Sequence, residues 1–249
     1  LYEGHQNDFS EILPLFIYPS EDQSKSLYPD MDLVIEKTSE AIDRHSIYVK
    51  KEEHNRWIDD CYTLMGKARF YKYEHYVGIE IFEYLAKAYN KKPEKYAALI
   101  WLARCHMELG EMGKAESYLK LMDGGKAPPT KYNSEYNALY AEFLIRKHQY
   151  DDAITKLEEA LKTTKKRIDK RRYNYVLAQL WLKKKEFAKA SEVFTKVIKL
   201  RPRYDMMFNA QISRALSFDV GGEDNDDIKK MLTKMLKDAK NKEFLDQIY

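Results

Sequence analysis

The sequence predicts an all-α fold, a solenoid of stacked helix pairs, and three observations lead to that prediction. The chain of 249 residues contains only 9 glycines and 7 prolines, so it has few places to turn and favours long regular segments. Apolar residues recur at three- and four-residue spacing, which is the period of an amphipathic helix. A pattern of small residues then recurs four times at a nearly constant interval, which indicates a repeat architecture.

The repeat is defined by three positions. A small residue is followed twelve positions later by a second small residue, and four positions after that by a large apolar residue. The first position is occupied by Gly66, Ala103, Ala141 and Ala178, the second by Gly78, Ala115, Ala153 and Ala190, and the third by Phe82, Leu119, Leu157 and Phe194. The second position recurs at intervals of 37, 38 and 37 residues. Four repeats in one register predict four helix pairs.

Each repeat is predicted to be two antiparallel helices joined by a short polar turn. The turns fall at residues 73–75, 110–112, 147–149 and 184–186. Small side chains allow two helices to approach closely where they cross, and the large residue one turn later fills the groove beside them. We therefore expect both small positions of every repeat to be buried.

The four repeats span residues 54–202, and a capping helix is predicted before them at residues 31–48. Residues 1–30 contain Pro14, Pro19 and Pro29, so this N-terminal segment is expected to be irregular or extended and to lie on the first helices.

The chain after the repeats, residues 203–249, is predicted to contain a divergent fifth helix pair and the start of a further helix. The fifth pair is placed at residues 204–218 and 225–238. Residues 243–249 read as the amphipathic beginning of the further helix, so we expect the native protein to continue beyond them.

Composition and motifs argue against several classes of function. Lys plus Arg is 43 and Asp plus Glu is 40, so the net charge is only +3 and nucleic acid is not an expected partner. The longest uninterrupted apolar stretch, residues 96–103, is too short to span a bilayer. The six histidines form no pair with zinc-ligand spacing, and no nucleophile-elbow motif occurs. We expect no enzyme, no cofactor and no metal site.

The helix pairs resemble the tetratricopeptide repeat, most closely at residues 96–122 and 173–202. The resemblance implies a right-handed superhelix whose concave face, lined by the first helix of each repeat, binds other proteins. Helical spacing assigns ten residues to that face: Lys67, Phe70, Ile100, Arg104, Met107, Glu142, Ile145, Tyr175, Gln179 and Leu182. The face is mixed and rather apolar, which favours a protein segment or helix as partner. The alternative is that these side chains contact only neighbouring repeats.

A second candidate surface is basic. It lies between the third and fourth repeats and consists of Lys165, Lys166, Arg167, Lys170, Arg171 and Arg172. Such a patch could dock an acidic partner or anionic lipid head groups. A solvated loop is the alternative interpretation.

Several segments outside the generic repeat pattern are similar to one particular family. They are "NDFSEILPLFIYP" (7–19), "VIEKTSEAIDRHSI" (34–47), "NRWIDDCYTLMGKARFYK" (55–72), "RRYNYVLAQLW" (171–181) and "RPRYDMMFNAQI" (201–212). Together they resemble the N-terminal part of the SprE/PorW proteins of Bacteroidetes. Those proteins are tetratricopeptide-repeat outer-membrane lipoproteins of the type IX secretion system, which is required for protein secretion and, in some species, gliding motility.

This resemblance implies a scaffold on the periplasmic face of the outer membrane, between the translocon and the periplasmic ring proteins. It also implies a lipid anchor on an N-terminal cysteine, and neither Cys61 nor Cys105 can supply it. Two alternatives stay open. One is a generic peptide- or protein-binding module or regulator unrelated to secretion. The other is an accessory domain of an enzyme that lies beyond Tyr249.

Overall fold

A computed structural model describes residues 7–50, 52–123, 128–219 and 226–248. These residues form two compact units, of which unit 1 contains residues 16–147 and unit 2 contains residues 7–15 together with residues 148–249. Apart from a two-residue antiparallel pairing of Tyr48–Val49 with Glu52–Glu53, the regular structure described is helical. The predicted all-α helical-repeat fold is confirmed.

Unit 1 begins with a short helix and continues with six longer ones. They are α1 (Glu21–Lys25), α2 (Tyr28–His45), α3 (Ile58–Tyr71), α4 (His75–Ala88), α5 (Glu94–Glu108), α6 (Met112–Asp123) and α7 (Thr130–Arg146). Each helix from α2 to α6 packs against the next one along the chain. Helices α2 and α3 also pack together, although the short strand pairing lies between them in sequence. None of the helices in the described residues is long and apolar enough to cross a membrane.

Unit 2 contains the second helix of the third repeat, the fourth repeat and the C-terminal helices. Its elements are α8 (Tyr150–Thr163), α9 (Arg167–Lys183), α10 (Phe187–Lys199), α11 (Tyr204–Asp219), α12 (Asp226–Lys237) and a 3-10 helix (Ala239–Gln247). Helix α10 packs between α9 and α11. Residues 7–15 also belong to this unit, although they lie more than a hundred residues away in sequence.

The small residues that define the repeat are buried, as the sequence predicts. All six alanines at these positions have no exposed surface, and neither do the four large residues that follow them. Gly66 shows why the site must be small, because a Cβ atom there would lie 2.5 Å from the ring of Phe82. A Cβ at Gly78 would lie 3.5 Å from the carbonyl oxygen of Gly66, so the backbones of α3 and α4 approach closely at this point.

The four predicted turns share one backbone feature. Each contains a single residue in the left-handed region, with φ of 62° at Tyr73, 74° at Gly110, 58° at His148 and 61° at Lys185. These residues are 37, 38 and 37 positions apart, the same intervals as the small residues. A left-handed residue after the last helical turn is a common way to end a helix and to satisfy its free carbonyl groups. The backbone therefore repeats in register with the sequence.

The segments before the repeats differ in detail from the prediction. Residues 1–30 were expected to be irregular, but Ser20 caps α1 with its hydroxyl, and Gln23 completes the capping box. The capping helix, predicted at 31–48, is α2 and begins at Tyr28. Pro29 does not prevent this start, because a proline is tolerated in the first turn, where its missing N–H has no intrahelical partner anyway.

The last residues of the chain do not form the start of a further helix. Residues 239–247 form a 3-10 helix whose Phe244 ring lies 5.3 Å from the ring of Phe208 on α11. Ile248 is buried with Phe208 and Met235, so the apolar residues of this stretch cover the fifth helix pair instead of forming a new one. Apolar burial onto α11 and α12 explains why an amphipathic pattern here does not continue as a helix.

Candidate protein-binding faces

The ten residues predicted for the concave face are mostly not open to solvent. Seven of them are buried, namely Phe70, Ile100, Arg104, Met107, Glu142, Tyr175 and Gln179, and three are partly exposed, namely Lys67, Ile145 and Leu182. All ten lie on the first helix of their repeat, as the prediction requires. Their burial has a specific cause in each unit, because the N-terminal segment of the chain lies against several of them.

In unit 2 the side chain of Gln179 holds the main chain of the N-terminal segment at Glu11 and Leu13. Its amide oxygen accepts a hydrogen bond of 2.9 Å from the N–H of Leu13, and its amide nitrogen donates one of 2.7 Å to the carbonyl of Glu11. One side-chain amide therefore pairs with two peptide groups, much as a neighbouring β-strand would. Recognition of this kind depends on the main chain rather than on the side chains of Glu11 and Leu13.

Arg172, one helical turn before Tyr175, binds the same segment. Its Nε donates to the carbonyl of Pro14 at 2.5 Å, and one of its terminal nitrogens donates to the side-chain oxygen of Asn7 at 3.0 Å. Asn7 in turn donates to the carboxylate of Asp205 on α11 at 3.2 Å. A hydrogen bond from a charged donor is stronger than a neutral one, so Arg172 is the principal polar anchor of residues 7–15.

Apolar contacts complete this arrangement. Leu13 and Leu15 keep only 2% and 1% of their surface exposed, whereas Pro14 between them is exposed. The ring of Phe9 meets the ring of Tyr175 edge-on at 5.3 Å, and Tyr175 meets Phe194 of α10 at 5.5 Å. Burial raises the pKa of Tyr175 above its usual value, so its hydroxyl stays protonated at neutral pH and Arg172 is the charged member of this surface. We call Arg172, Tyr175 and Gln179 the α9 face.

Unit 1 holds residues 16–19 by different chemistry. The Arg104 guanidinium lies between two aromatic rings, 4.4 Å from the ring centre of Phe16 and 4.5 Å from that of Trp101. A terminal nitrogen of Arg104 also pairs with Glu135 at 2.9 Å. Stacking of a buried guanidinium on aromatic faces contributes about 2 kcal/mol when it is desolvated.

Tyr18 and Pro19 continue this contact. The ring of Tyr18 lies 5.0 Å from that of Phe70, and the hydroxyl of Tyr73 donates to the carbonyl of Pro19 at 2.8 Å. Burial raises the pKa of Tyr18 far above its usual value, although the nearby Arg104 opposes that shift. Phe70 and Arg104, both predicted for the concave face, are thus covered by the chain's own residues.

Four of the other predicted residues have structural contacts, whereas Ile145 and Leu182 are partly exposed. Glu142 forms an ion pair with Arg146 at 3.3 Å, and Arg146 also pairs with Glu108 at 2.8 Å. The Lys67 ammonium lies 5.2 Å above the ring of Trp101. Ile100 and Met107 are buried in the core of unit 1.

Five of the six residues of the predicted basic patch reach the surface, and one does not. Arg172 is buried beneath residues 7–15, and Arg167 and Arg171 donate to the carbonyl of Leu200, which follows the last turn of α10. The free carbonyl groups at a helix C-terminus need donors, and these two arginines supply them. Lys165, Lys166 and Arg167 are exposed, and Lys170 and Arg171 are partly exposed, so five of the six charges are left for a docking role.

Sequence reasoning missed the N-terminal segment as an occupant of the predicted face. It was expected to lie on the first helices, but residues 7–15 lie on α9 of the fourth repeat. The one local signal was the alternation of Leu13, Pro14 and Leu15, which is typical of an extended strand with one buried side. Nothing in that pattern indicates which helix the segment meets.

Within the described residues there is no group of three His, Cys, Asp or Glu side chains that could hold a metal ion. Cys105 is buried, and burial raises the pKa of its thiol to about 12, so it is protonated at neutral pH and a poor nucleophile. The candidate site that the contacts define is the α9 face, which holds residues 7–15 of the chain itself.

Comparison with known proteins agrees with this description. Two tetratricopeptide-repeat family profiles match, one at residues 80–142 and the other at residues 144–205, and together they span about half of the chain. The chain is a tetratricopeptide-repeat protein. Tetratricopeptide repeats are generally non-catalytic modules for binding other proteins, so these repeats indicate a protein-interaction scaffold. No protein of curated function matches the tetratricopeptide-repeat chain in sequence.

Two solved structures share the helical-repeat fold. The apo form of the quorum sensor NprR from B. thuringiensis matches with a TM-score of 0.61 and 15% identity, over 90% of this chain and 64% of the sensor. BtubC (BKLC) from P. vanneervenii matches with a TM-score of 0.57 and 11% identity, over 86% of this chain and 93% of that protein. The tetratricopeptide-repeat chain thus spans a little under two thirds of the sensor, and at these identities the likeness shows the fold alone.

Proposed function

We propose that this tetratricopeptide-repeat protein is a non-enzymatic scaffold of the type IX secretion machinery, of the SprE/PorW kind. Its partners in this proposal are the outer-membrane translocon and the periplasmic ring proteins. It acts on the periplasmic face of the outer membrane and is held there by a lipid anchor. The repeats indicate the scaffold, and the resemblance of segments outside the generic repeat pattern supports the secretion role.

One structural observation carries the proposal. Three of the segments that resemble the SprE/PorW family, residues 7–19, 171–181 and 201–212, contact one another within unit 2. Arg172 and Gln179 from the second segment bind the main chain of the first. Asp205 from the third segment binds Asn7 of the first. Residues that resemble one family over separate stretches of sequence therefore build one surface, which supports inheritance of a common structure rather than a chance likeness.

Deletion of the gene in its source organism tests the proposal. We expect proteins exported by the type IX route to disappear from the culture medium and to return when the wild-type gene is restored. Export that is unchanged by the deletion would refute the secretion role. A photo-crosslinking residue at Tyr76 on α4, which is 65% exposed, should capture translocon or ring proteins in intact cells. The same residue at the buried Phe82 is the matched control and should capture none.

The second candidate is a general polypeptide-binding module with no role in secretion. The favouring observation is that the α9 face already holds a segment by its main chain at Glu11 and Leu13, which requires no particular partner. This alternative predicts normal export after deletion, together with crosslinks from Tyr76 to a soluble protein. The two results together separate the candidates.

A further inference from the structure

We propose that residues 7–15 are an exchangeable internal ligand of the α9 face, and that they compete with a segment of another protein for that face. This inference rests on the proposed scaffold function and adds a form of regulation to it. The competing segment is expected to reproduce the course of residues 7–15, which turn at Phe9 and Ser10 and bend at Glu11. It carries two large aliphatic side chains separated by one residue and an aromatic side chain four residues before the first of them.

The contacts of residues 7–15 define that chemistry. The two aliphatic positions correspond to Leu13 and Leu15, which are almost completely buried, and the aromatic position corresponds to Phe9 against Tyr175. The residue between the leucines is Pro14, which has no N–H to donate, so the face needs only a carbonyl acceptor at that position. Glu11 contributes only its carbonyl, so its side chain is free to vary.

The segment lies as a single layer on the unit. Asp8, Ser10, Glu11 and Pro14 are exposed on its outer side. Beneath it, α9 packs against α10 independently of the segment, and Tyr175 keeps its contact with Phe194 if Phe9 leaves. The hydrogen bonds that hold Glu11, Leu13 and Pro14 come from side chains of α9, so they can form equally well with the main chain of another polypeptide.

The covalent connection of residues 7–15 to the chain influences which segment occupies the α9 face. Residues 7–15 belong to the same chain as the α9 face, so their binding is intramolecular and a segment of another protein has to compete with it. A competing segment therefore binds to the intact chain with an affinity reduced by the fraction of molecules whose face is open. The internal segment thus excludes weak or accidental ligands and admits only a partner that is abundant or held nearby.

The experiment uses the full chain with a specific protease site inserted after Lys25, next to the exposed helix α1. Cleavage leaves residues 1–25 held by non-covalent contacts only. We expect a fluorescent peptide of residues 7–25 to exchange into the cleaved chain, and to bind the uncleaved chain about tenfold more weakly or worse. Fluorescence anisotropy measures the binding, and size-exclusion chromatography shows whether the original fragment has left.

Matched variants show whether binding uses the α9 face. Gln179→Ala should weaken peptide binding to the cleaved chain by about tenfold, because two hydrogen bonds are lost. Gln149→Ala, at an exposed glutamine before α8, should leave binding unchanged. A peptide carrying Leu13→Asp should not bind, because the buried site has no partner for its charge.

Three results would overturn the inference. The cleaved fragment could stay bound without exchange for about a day, in which case it is a permanent part of the fold. It could leave and fail to rebind, or the chain could lose its helical circular dichroism signal when it leaves. None of these results bears on the gene-deletion experiment, so failure of the internal ligand and failure of the secretion role are distinguishable.

Discussion

The repeat helices and residues 7–19 are held in place by opposite means. Helices α3 and α4 meet at Gly66, where an added Cβ would lie 2.5 Å from the ring of Phe82, so their packing depends on side-chain volume at that crossing. Residues 7–15 are held through the main chain by Gln179 and Arg172, and only Leu13 and Leu15 are closely enclosed. The comparison teaches that a helix crossing limits the size of the side chains that fit there, whereas residues 7–15 limit the residue type mainly at Leu13 and Leu15.

The two parts of the segment also differ from each other. Residues 7–15 in unit 2 are bound by hydrogen bonds to peptide groups, which many sequences could satisfy. Residues 16–19 in unit 1 are bound mainly through their rings, which contact Arg104 at Phe16 and Phe70 at Tyr18, with one hydrogen bond from Tyr73 to the carbonyl of Pro19. Ring contacts depend on side-chain identity, so we expect substitutions to be tolerated less at Phe16 and Tyr18 than at Glu11.

The largest effect is expected from filling the helix crossing. Gly66→Leu places a side chain where even a Cβ would lie 2.5 Å from the buried ring of Phe82, so we expect a loss of about 3 kcal/mol of stability from overpacking. Thermal unfolding followed by circular dichroism measures it. Gly113→Leu is the matched control, because no atom lies within 4 Å of the position of its Cβ and the melting temperature should not fall. An unchanged melting curve for Gly66→Leu would contradict the assigned crossing.

A smaller and local effect is expected from loss of the polar anchor in unit 2. Arg172→Met removes the donors to Pro14 and Asn7, which we expect to cost about 2 kcal/mol, the usual range for bonds from a charged group. Amide hydrogen exchange should show faster exchange at Leu13 and its neighbours, while amides in α10 keep their protection. The exposed lysine variant Lys165→Met is the control. Equal protection at Leu13 in both variants would mean that Arg172 does not anchor the segment.

These outcomes follow a division between what the sequence could and could not predict. The crossing at Gly66 and Phe82 was predictable because a period of 37 or 38 residues repeats four times and one physical rule explains every copy. The placement of Leu13 on α9 was not predictable, because a contact across 166 residues leaves no periodic trace in either partner. The interpretation of Arg172 was wrong for the same reason, because it depended on a long-range contact. Its sequence context is a basic cluster, which suggested a docking patch, yet its guanidinium is buried beneath a segment that had been assigned elsewhere.

Acidic conditions should weaken the repeat packing in unit 1 through His75. This histidine is 8% exposed beside the ring of Phe70, and its Nδ1 has no hydrogen-bond partner among the described residues. Burial lowers the pKa of His75 below its usual value of 6.5, although the charge of Glu108 opposes the shift. The unfolded chain therefore takes up a proton at a higher pH than the folded chain does.

Stability falls with falling pH because the pKa of His75 is lower in the folded chain than in the unfolded chain. The contribution of His75 to stability is complete above the unfolded pKa of 6.5 and is lost as the pH falls from there through the lower folded value. Between about pH 7.5 and about pH 5.5, the melting temperature of the wild type should fall more than that of His75→Leu, which has no group to protonate. Equal slopes for the two proteins would show that His75 does not titrate differently on folding.

The smallest effect is expected at the turns, where the four repeats use one backbone conformation with different residues. Lys185 adopts a φ of 61°, a conformation that costs a residue with a side chain about 1 kcal/mol and costs glycine nothing. Lys185→Gly should therefore raise the free energy of unfolding. The gain should be somewhat smaller than that cost, because glycine also has more conformational freedom in the unfolded chain. Gly110→Ala is the reciprocal test at the equivalent turn. Gly110 has a φ of 74°, and no atom lies within 4 Å of the position of an added Cβ. Any loss of stability, expected at about 1 kcal/mol, therefore comes from the backbone conformation alone. Opposite signs for the two substitutions would establish that the turns, like the crossings, follow one repeated rule, whereas equal signs would mean that each turn is held by its own side-chain contacts.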